Sequence, residues 1–180
     1  LTVEPKTLTR DDQTYTGSIT KVYDGSDSAP SDLAVFVKPA SLVGSDTLAV
    51  TGTLQFNSAN VNEADTITFT PEAIATGNYR LAATEVLTIT GADITQATPV
   101  YTVPSDLRAA YGQTLADVTL PDGWSWMDGT LSVGNVSAVP DTFKARFTPA
   151  DTGNYAVVPN IDIPVTVYRA GGGSLAETTL

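Results

Sequence analysis

Phe69-Thr70-Pro71 followed by Thr76-Gly77-Asn78-Tyr79 returns later in the chain as Phe147-Thr148-Pro149 followed by Thr152-Gly153-Asn154-Tyr155. Upstream of each stands a third landmark at nearly the same spacing, Gly52-Thr53-Leu54 in one case and Gly129-Thr130-Leu131 in the other. Downstream of each runs an alternating segment, ending Thr88-Ile89-Thr90 and Val165-Thr166-Val167. Proline has no N–H to give a ladder and so ends a strand, Gly-Asn turns the chain tightly, and the tyrosine opens the next strand. Landmarks recurring in one order mark an internal repeat. The expected organisation is two related β-domains in tandem, residues 1–95 and 96–169. Residues 1–12 read as a trailing strand or linker of a preceding repeat, and the Gly-rich 170–180 as a flexible linker.

Working outward, period-two alternation is widespread: Thr47-Leu48-Ala49-Val50-Thr51, Thr66-Ile67-Thr68-Phe69-Thr70, Glu85 to Thr90, and Ile161 to Val167. Stiff β-branched side chains suit a pleated surface, and Asp, a turn former, outnumbers Glu by 15 to 5. The fold class expected is therefore mainly β. Half-buried strands with little helix to cover them need a second sheet, which favours two immunoglobulin-like sandwiches. Ser105 to Tyr111, stopped by Gly112, is the one helical candidate, and it would make the second domain a β-grasp-like variant with a short helix. Asp128-Gly129 reads as a two-residue hairpin turn that pairs Trp126 with Leu131 and Trp124 with Val133, so that these four side chains bury together.

The 180 residues carry 20 acidic and 9 basic side chains, a net charge of −11. That charge repels phosphate backbones and anionic headgroups, so neither nucleic acid nor a membrane surface is an expected partner. With no histidine, imidazole acid–base chemistry and His-ligated metals are excluded; with no cysteine, disulfides, thiolate metal sites and thiol catalysis are excluded. No apolar run approaches membrane-spanning length, so membrane insertion is not expected. The first residues lack a signal peptide and an initiator Met, and read as the interior of a longer polypeptide or a trimmed mature form.

Lys21-Val22-Tyr23-Asp24-Gly25-Ser26, with Gly44-Ser45-Asp46 and Gly77-Asn78-Tyr79, resembles the YDG-type repeat of bacterial surface adhesins and haemagglutinin-like proteins. Tyr111-Gly112-Gln113-Thr114-Leu115, Gly123-Trp124-Ser125-Trp126 with Asp128-Gly129-Thr130, and Phe147 to Tyr155 resemble the companion YGX-type repeat of long cell-wall proteins. The resemblance covers most of residues 20–168. It implies a non-enzymatic, exported, extracellular module at the cell surface, serving as stalk, spacer or adhesion unit. The partners it implies are neighbouring repeats of the parent chain and a host or cell-wall glycan or protein, with the module itself a monomer.

Candidate ligand-binding residues are Trp124, Trp126, Tyr79 and Tyr155; no catalytic, metal or cofactor residue is assigned. The tryptophans read as core, with a sugar-stacking platform as the alternative. The two tyrosines read as corner residues packed on their own domains, with Gly77 and Gly153 equivalent and at positive φ. Asp24-Gly25-Ser26-Asp27 and Asn60 to Asp65 offer oxygens but lack the spacing of a calcium loop. Asp11-Asp12, or Asp117 with Asp122, would be the glycosidase pair of a carboxylate enzyme. Lys6, Lys21, Lys38 and Lys144 are the lysines available for a side-chain isopeptide.

Overall fold

The structure, a computed structural model, describes residues 2–75 and 77–169. The expected linker 170–180 lies outside the described residues. The fold is mainly β in several sheets, consistent with a β-sandwich type, and the chain divides into two compact units, Leu1–Ala97 and Thr98–Leu180.

In the first unit, β1 (Lys6–Leu8), β2 (Gln13–Thr16), β3 (Thr20–Val22), β4 (Ala34–Val37), β5 (Ala49–Val50), β6 (Gly52–Phe56), β7 (Thr66–Pro71), β8 (Tyr79–Leu81), β9 (Leu87–Thr90) and β10 (Asp93–Thr95) follow one another. Two antiparallel sheets form, β2-β4-β5 and β6-β7-β9, together with two parallel pairs, β1 with β8 and β3 with β10. β7 shows why: Ile67 and Phe69 are buried on one face while Thr66, Thr68 and Thr70 point the other way. Phe69 joins a core with Leu8, Val35, Val37, Val50, Tyr79 and Leu81, while Ile67 joins Leu33, Phe56, Ile89 and Ile94. Leu8 is 1% exposed, so the segment read as the end of a preceding repeat is built into this unit instead. Its three residues were too short to show a period; pairing with β8 makes the strand.

The second unit holds β11 (Leu107–Ala110), β12 (Trp124–Trp126), β13 (Asp141–Phe147) and β14 (Val158–Tyr168) in one sheet of order β11-β14-β13-β12. β11 runs parallel to β14 and the other pairs are antiparallel. The helix expected over Ser105–Tyr111, and with it the β-grasp-like alternative, is overturned: Leu107–Ala110 is a strand, and Ala109, 1% exposed, packs with Val165 and Val167. Local preference of Leu, Arg and Ala for helix yields to tertiary pairing. The layer facing the sheet contributes Leu115, Val118 and Val133. It is a turn-rich segment held by Leu115 N–H to Leu131 O at 2.9 Å and Ala116 N–H to Gly129 O at 2.8 Å.

The Asp128-Gly129 hairpin does not form either. β12 pairs with β13 instead, Trp124 opposite Phe147 and Trp126 opposite Ala145. Asp128 makes a side-chain turn, its carboxylate accepting Thr130 N–H at 2.9 Å and the Thr130 hydroxyl at 2.6 Å. The expected four-residue cluster is accordingly dispersed. Val133 is fully buried and Trp126 packs against its core, Trp124 lies with other rings, and Leu131 is 48% exposed.

Candidate functional site

The Tyr-Asp-Gly segment leaves β3 in the first unit. Tyr23 N–H donates to Thr95 O at 2.8 Å, extending the ladder by one step beyond β10, and Gly25 then turns the chain at φ +79°. Asp24 closes that turn by accepting the Ser26 N–H and hydroxyl, each at 2.9 Å. Lys21 folds over it, its ammonium donating to Asp24 at 2.7 Å, Ser26 O at 2.8 Å and Ser26 Oγ at 3.0 Å. The oxygens that suggested a calcium loop thus hold an ammonium. Lys21 first, then the Ser26 donors, bring the Asp24 carboxyl down from 3.8 to about 2.

Tyr111 does the same backbone work in the second unit. Its N–H donates to Tyr168 O at 2.8 Å, one step beyond the β11–β14 ladder, and Gly112 follows at φ +91°. Here a neutral side chain closes the turn, Gln113 Oε1 accepting Ala110 N–H at 2.6 Å.

Tyr79 opens β8 and is 8% exposed. Its hydroxyl donates to Asp46 at 2.8 Å and accepts Val43 N–H at 2.8 Å, which ties the 43–46 loop to the core. The Val43 N–H, the largest single influence, favours the phenolate; burial and the Asp46 charge oppose it and prevail, so the hydroxyl pKa is raised. Tyr155 is placed differently. It ends a helical turn in which its N–H donates to Asp151 O at 3.1 Å, is half-buried, and precedes β14 by three residues. Gly77 stands in the left-handed region, at φ +80°.

Trp124 and Trp126 lie on one face of β12 and are both half-buried. Trp126 donates its indole N–H to Val118 O at 3.0 Å and meets Phe143 edge-on. Trp124 meets Phe147 at 5.1 Å and Tyr101 at 5.6 Å with an interplanar angle of 82°, and Tyr101 also meets Phe147 at 5.3 Å. Rings crossed in this way pack on one another rather than forming a coplanar pair for a sugar. Tyr101 was not singled out in the sequence because nothing local marks it, and Phe147 was read there as a strand landmark; the place of Phe147 against Trp124 follows from the β12–β13 register. A cavity of about 440 Å³ adjoins them, lined by Pro99, Val100, Phe147, Pro149, Asp151 and Tyr155 among others.

The carboxylate candidates resolve into turns. Asp12 accepts Thr9 N–H at 2.8 Å and its hydroxyl at 3.0 Å; Asp117 accepts Thr114 N–H at 2.9 Å and its hydroxyl at 3.2 Å. These are the same Thr-x-x-Asp box built once in each unit, a signal present in the sequence but read there as acid pairs. A hydrogen bond from Ser41, then those from Thr9, lower the Asp12 pKa, the wrong direction for a general acid. Around Asn60 to Asp65, Asn57 donates to Glu63 O and Asp65, and Ser58 and Asn60 donate to the Glu63 carboxylate. Among the described residues no group of three or more acidic side chains is arranged to hold a metal. The other lysines bond Ser41 O (Lys6), Asp11 O (Lys38) and Asp162 (Lys144). No helix among the described residues is long and apolar enough to cross a membrane.

The fold is thus of the tandem β-module class. A family model of the YDG domain matches residues 4–87, inside the first unit, and marks that stretch as a YDG-type module. No curated protein and no solved structure is detectably similar to the chain.

Proposed function

We propose that the chain is a non-enzymatic tandem segment of an exported bacterial surface protein, acting as stalk, spacer or adhesion module. The observation that carries this reading is one strand-and-turn plan built twice in succession. In each unit a strand leading into Tyr and a positive-φ glycine pairs in parallel with the unit's last strand, and the strand leading through Phe to Thr-Pro pairs antiparallel, with β9 in the first unit and with the last strand itself, β14, in the second. The YDG-type match of the first unit and the resemblance of the second to YGX repeats support it. The test is surface labelling of intact cells that produce the parent protein, with antibodies raised against these 180 residues. Labelling and protease removal without lysis are the expected result, and signal only after lysis would end the reading.

A carbohydrate-binding role is the second reading; the crossed Tyr101, Trp124 and Phe147 rings do not favour stacking, and what supports it is the cavity from Pro99 to Tyr155 beside them. A glycan array decides it: binding that is lost in Trp124→Ala while the fold persists would establish it.

A further inference from the structure

We propose that the parallel pair closing the second unit is a mechanical clamp, which resists by shear the force transmitted along the chain. The inference rests on the stalk reading for its purpose, but its geometry stands apart from it. In the second unit the entering strand, β11, and the leaving strand, β14, are direct neighbours in register Leu107 to Val165, Arg108 to Thr166, Ala109 to Val167 and Ala110 to Tyr168. Because they run parallel, the incoming end of β11 and the outgoing end of β14 lie at opposite ends of the pair. Tension drawn through the unit therefore slides one strand along the other, and the ladder bonds, which cross between the strands, are loaded together. In an antiparallel terminal pair the same tension would act at one end and open the bonds one at a time.

The motif tyrosine adds to the clamp. Tyr111 N–H to Tyr168 O carries the ladder past Ala110, at the end where β14 is pulled, and Gly112 then takes the chain away. Beyond it Ser137 N–H donates to Val167 O at 3.1 Å, so a second segment also holds the outgoing strand. In the first unit the entering and leaving strands also lie in parallel pairs, though not with each other. β10, its leaving strand, is parallel to β3, flanked by Asp93 N–H to Ile19 O at 3.1 Å and Tyr23 N–H to Thr95 O at 2.8 Å. Its entering strand, β1, is parallel to β8, with Lys6 N–H to Asn78 O at 2.8 Å ahead of the pair. Of the two units, the second makes its entering and leaving strands each other's partners, and tension along the chain shears that pair directly.

The experiment uses the full chain, in which the absence of native cysteine makes introduced thiols the only points of attachment. Ser105→Cys with Arg169→Cys places the handles at opposite ends of the β11–β14 pair. Tyr111→Cys with Arg169→Cys places both at the same end and retains the Tyr111 backbone N–H. All three positions are exposed, and equal thermal midpoints for the two doubles establish that the fold is common to both. In single-molecule pulling at one loading rate, the opposite-end pair should rupture the second unit at roughly three times the force of the same-end pair or more, because whole-ladder shear replaces stepwise opening. Equal rupture forces in the two directions would overturn the clamp. A directional contrast in a protein that surface labelling places inside the cell would leave the clamp standing and remove the stalk reading.

Discussion

The two Gly-Asn-Tyr segments share every letter and fold differently, whereas Tyr23-Asp24-Gly25 and Tyr111-Gly112-Gln113 share fewer and do the same job. In the first unit Gly77 at positive φ delivers Tyr79 into the core and straight into β8; in the second, a helical turn leaves Tyr155 half-buried outside any long strand. The tyrosines of the other pair each bond the carbonyl of the last residue of a parallel terminal strand. Equivalence between repeats therefore follows long-range pairing, with local letters a weaker guide. The landmark glycine makes the same point. A Cβ on Gly52 would stand 2.3 Å from Thr70 O and 2.6 Å from the Phe69 ring, and one on Gly123 3.0 Å from Thr148 O and 3.1 Å from the Phe147 ring. Gly123, beside Trp124, holds the place against Phe-Thr-Pro that the sequence assigned to Gly129.

The strongest test of how far the units correspond is to truncate their matched phenylalanines. Phe69 is 1% exposed, so Phe69→Ala should destabilise the first unit by about 3–5 kcal/mol, whereas Phe147→Ala, at a half-buried ring, should cost the second unit less. Both tryptophans lie in the second unit, so their fluorescence follows its unfolding while far-UV circular dichroism follows both. Equal losses for the two variants would mean that the two sheets bury this position alike.

Adding a methyl at the glycines comes next in size. Gly52→Ala and Gly123→Ala should each cost about 1–3 kcal/mol from overpacking against a backbone carbonyl. Gly129→Ala, with its nearest neighbour at 3.5 Å, should change little. Urea midpoints that move as much for Gly129→Ala as for Gly123→Ala would restore the register read from sequence.

At the turns, Gly77→Ala should cost about 1 kcal/mol through its left-handed backbone, since no atom lies within 4 Å of the new methyl. Gly153→Ala, inside the helical turn closed by Tyr155 N–H to Asp151 O, should cost less, and a matched loss in differential scanning calorimetry would show the turns to be alike after all.

The smallest contrast is in acid. Asp24 has its pKa lowered to about 2, so its contribution is present above the ordinary carboxyl value and is lost as pH falls through the folded value. Its side chain is 56% exposed, which limits the effect to about 1 kcal/mol or less after screening. Between pH 4 and 2 the first unit should weaken more in the wild type than in Asp24→Asn, while the Gln113 turn of the second unit lacks any such titration. Identical acid profiles for wild type and Asp24→Asn would remove the Lys21–Asp24 node from the stability of the unit.

Much of the β architecture was legible because alternation is a local signal: Thr66–Thr70, Glu85–Thr90 and Ile161–Val167 contain or fall within β7, β9 and β14. What failed was partnership. The residues of β11 prefer helix until Val165 and Val167 of a strand some 60 residues away (about the span of the whole unit) make them a neighbour. The Asp-Gly turn was plausible until β13 took the Trp strand. Of the candidate site, the turn role of Asp24-Gly25-Ser26 could be read from Asp and Gly chemistry. The ammonium it holds, the Asp46 partner of Tyr79 and the ring set around Trp124 depend on register and could not.

One difference between the closing strands bears on how such modules keep apart while they fold. Related units emerging in succession from a ribosome are prone to exchange strands. β14 is unbroken over 11 residues and buries Ile163, Val165 and Val167, every second residue. The corresponding stretch of the first unit is interrupted at Gly91 and buries Ile89, then Ala92 and Ile94, so its inward parity switches at the break. Laid into the other unit's place, either segment would turn the side chains beyond that point to the opposite face of the sheet. A single glycine thus gives the two units closing segments of different inward register.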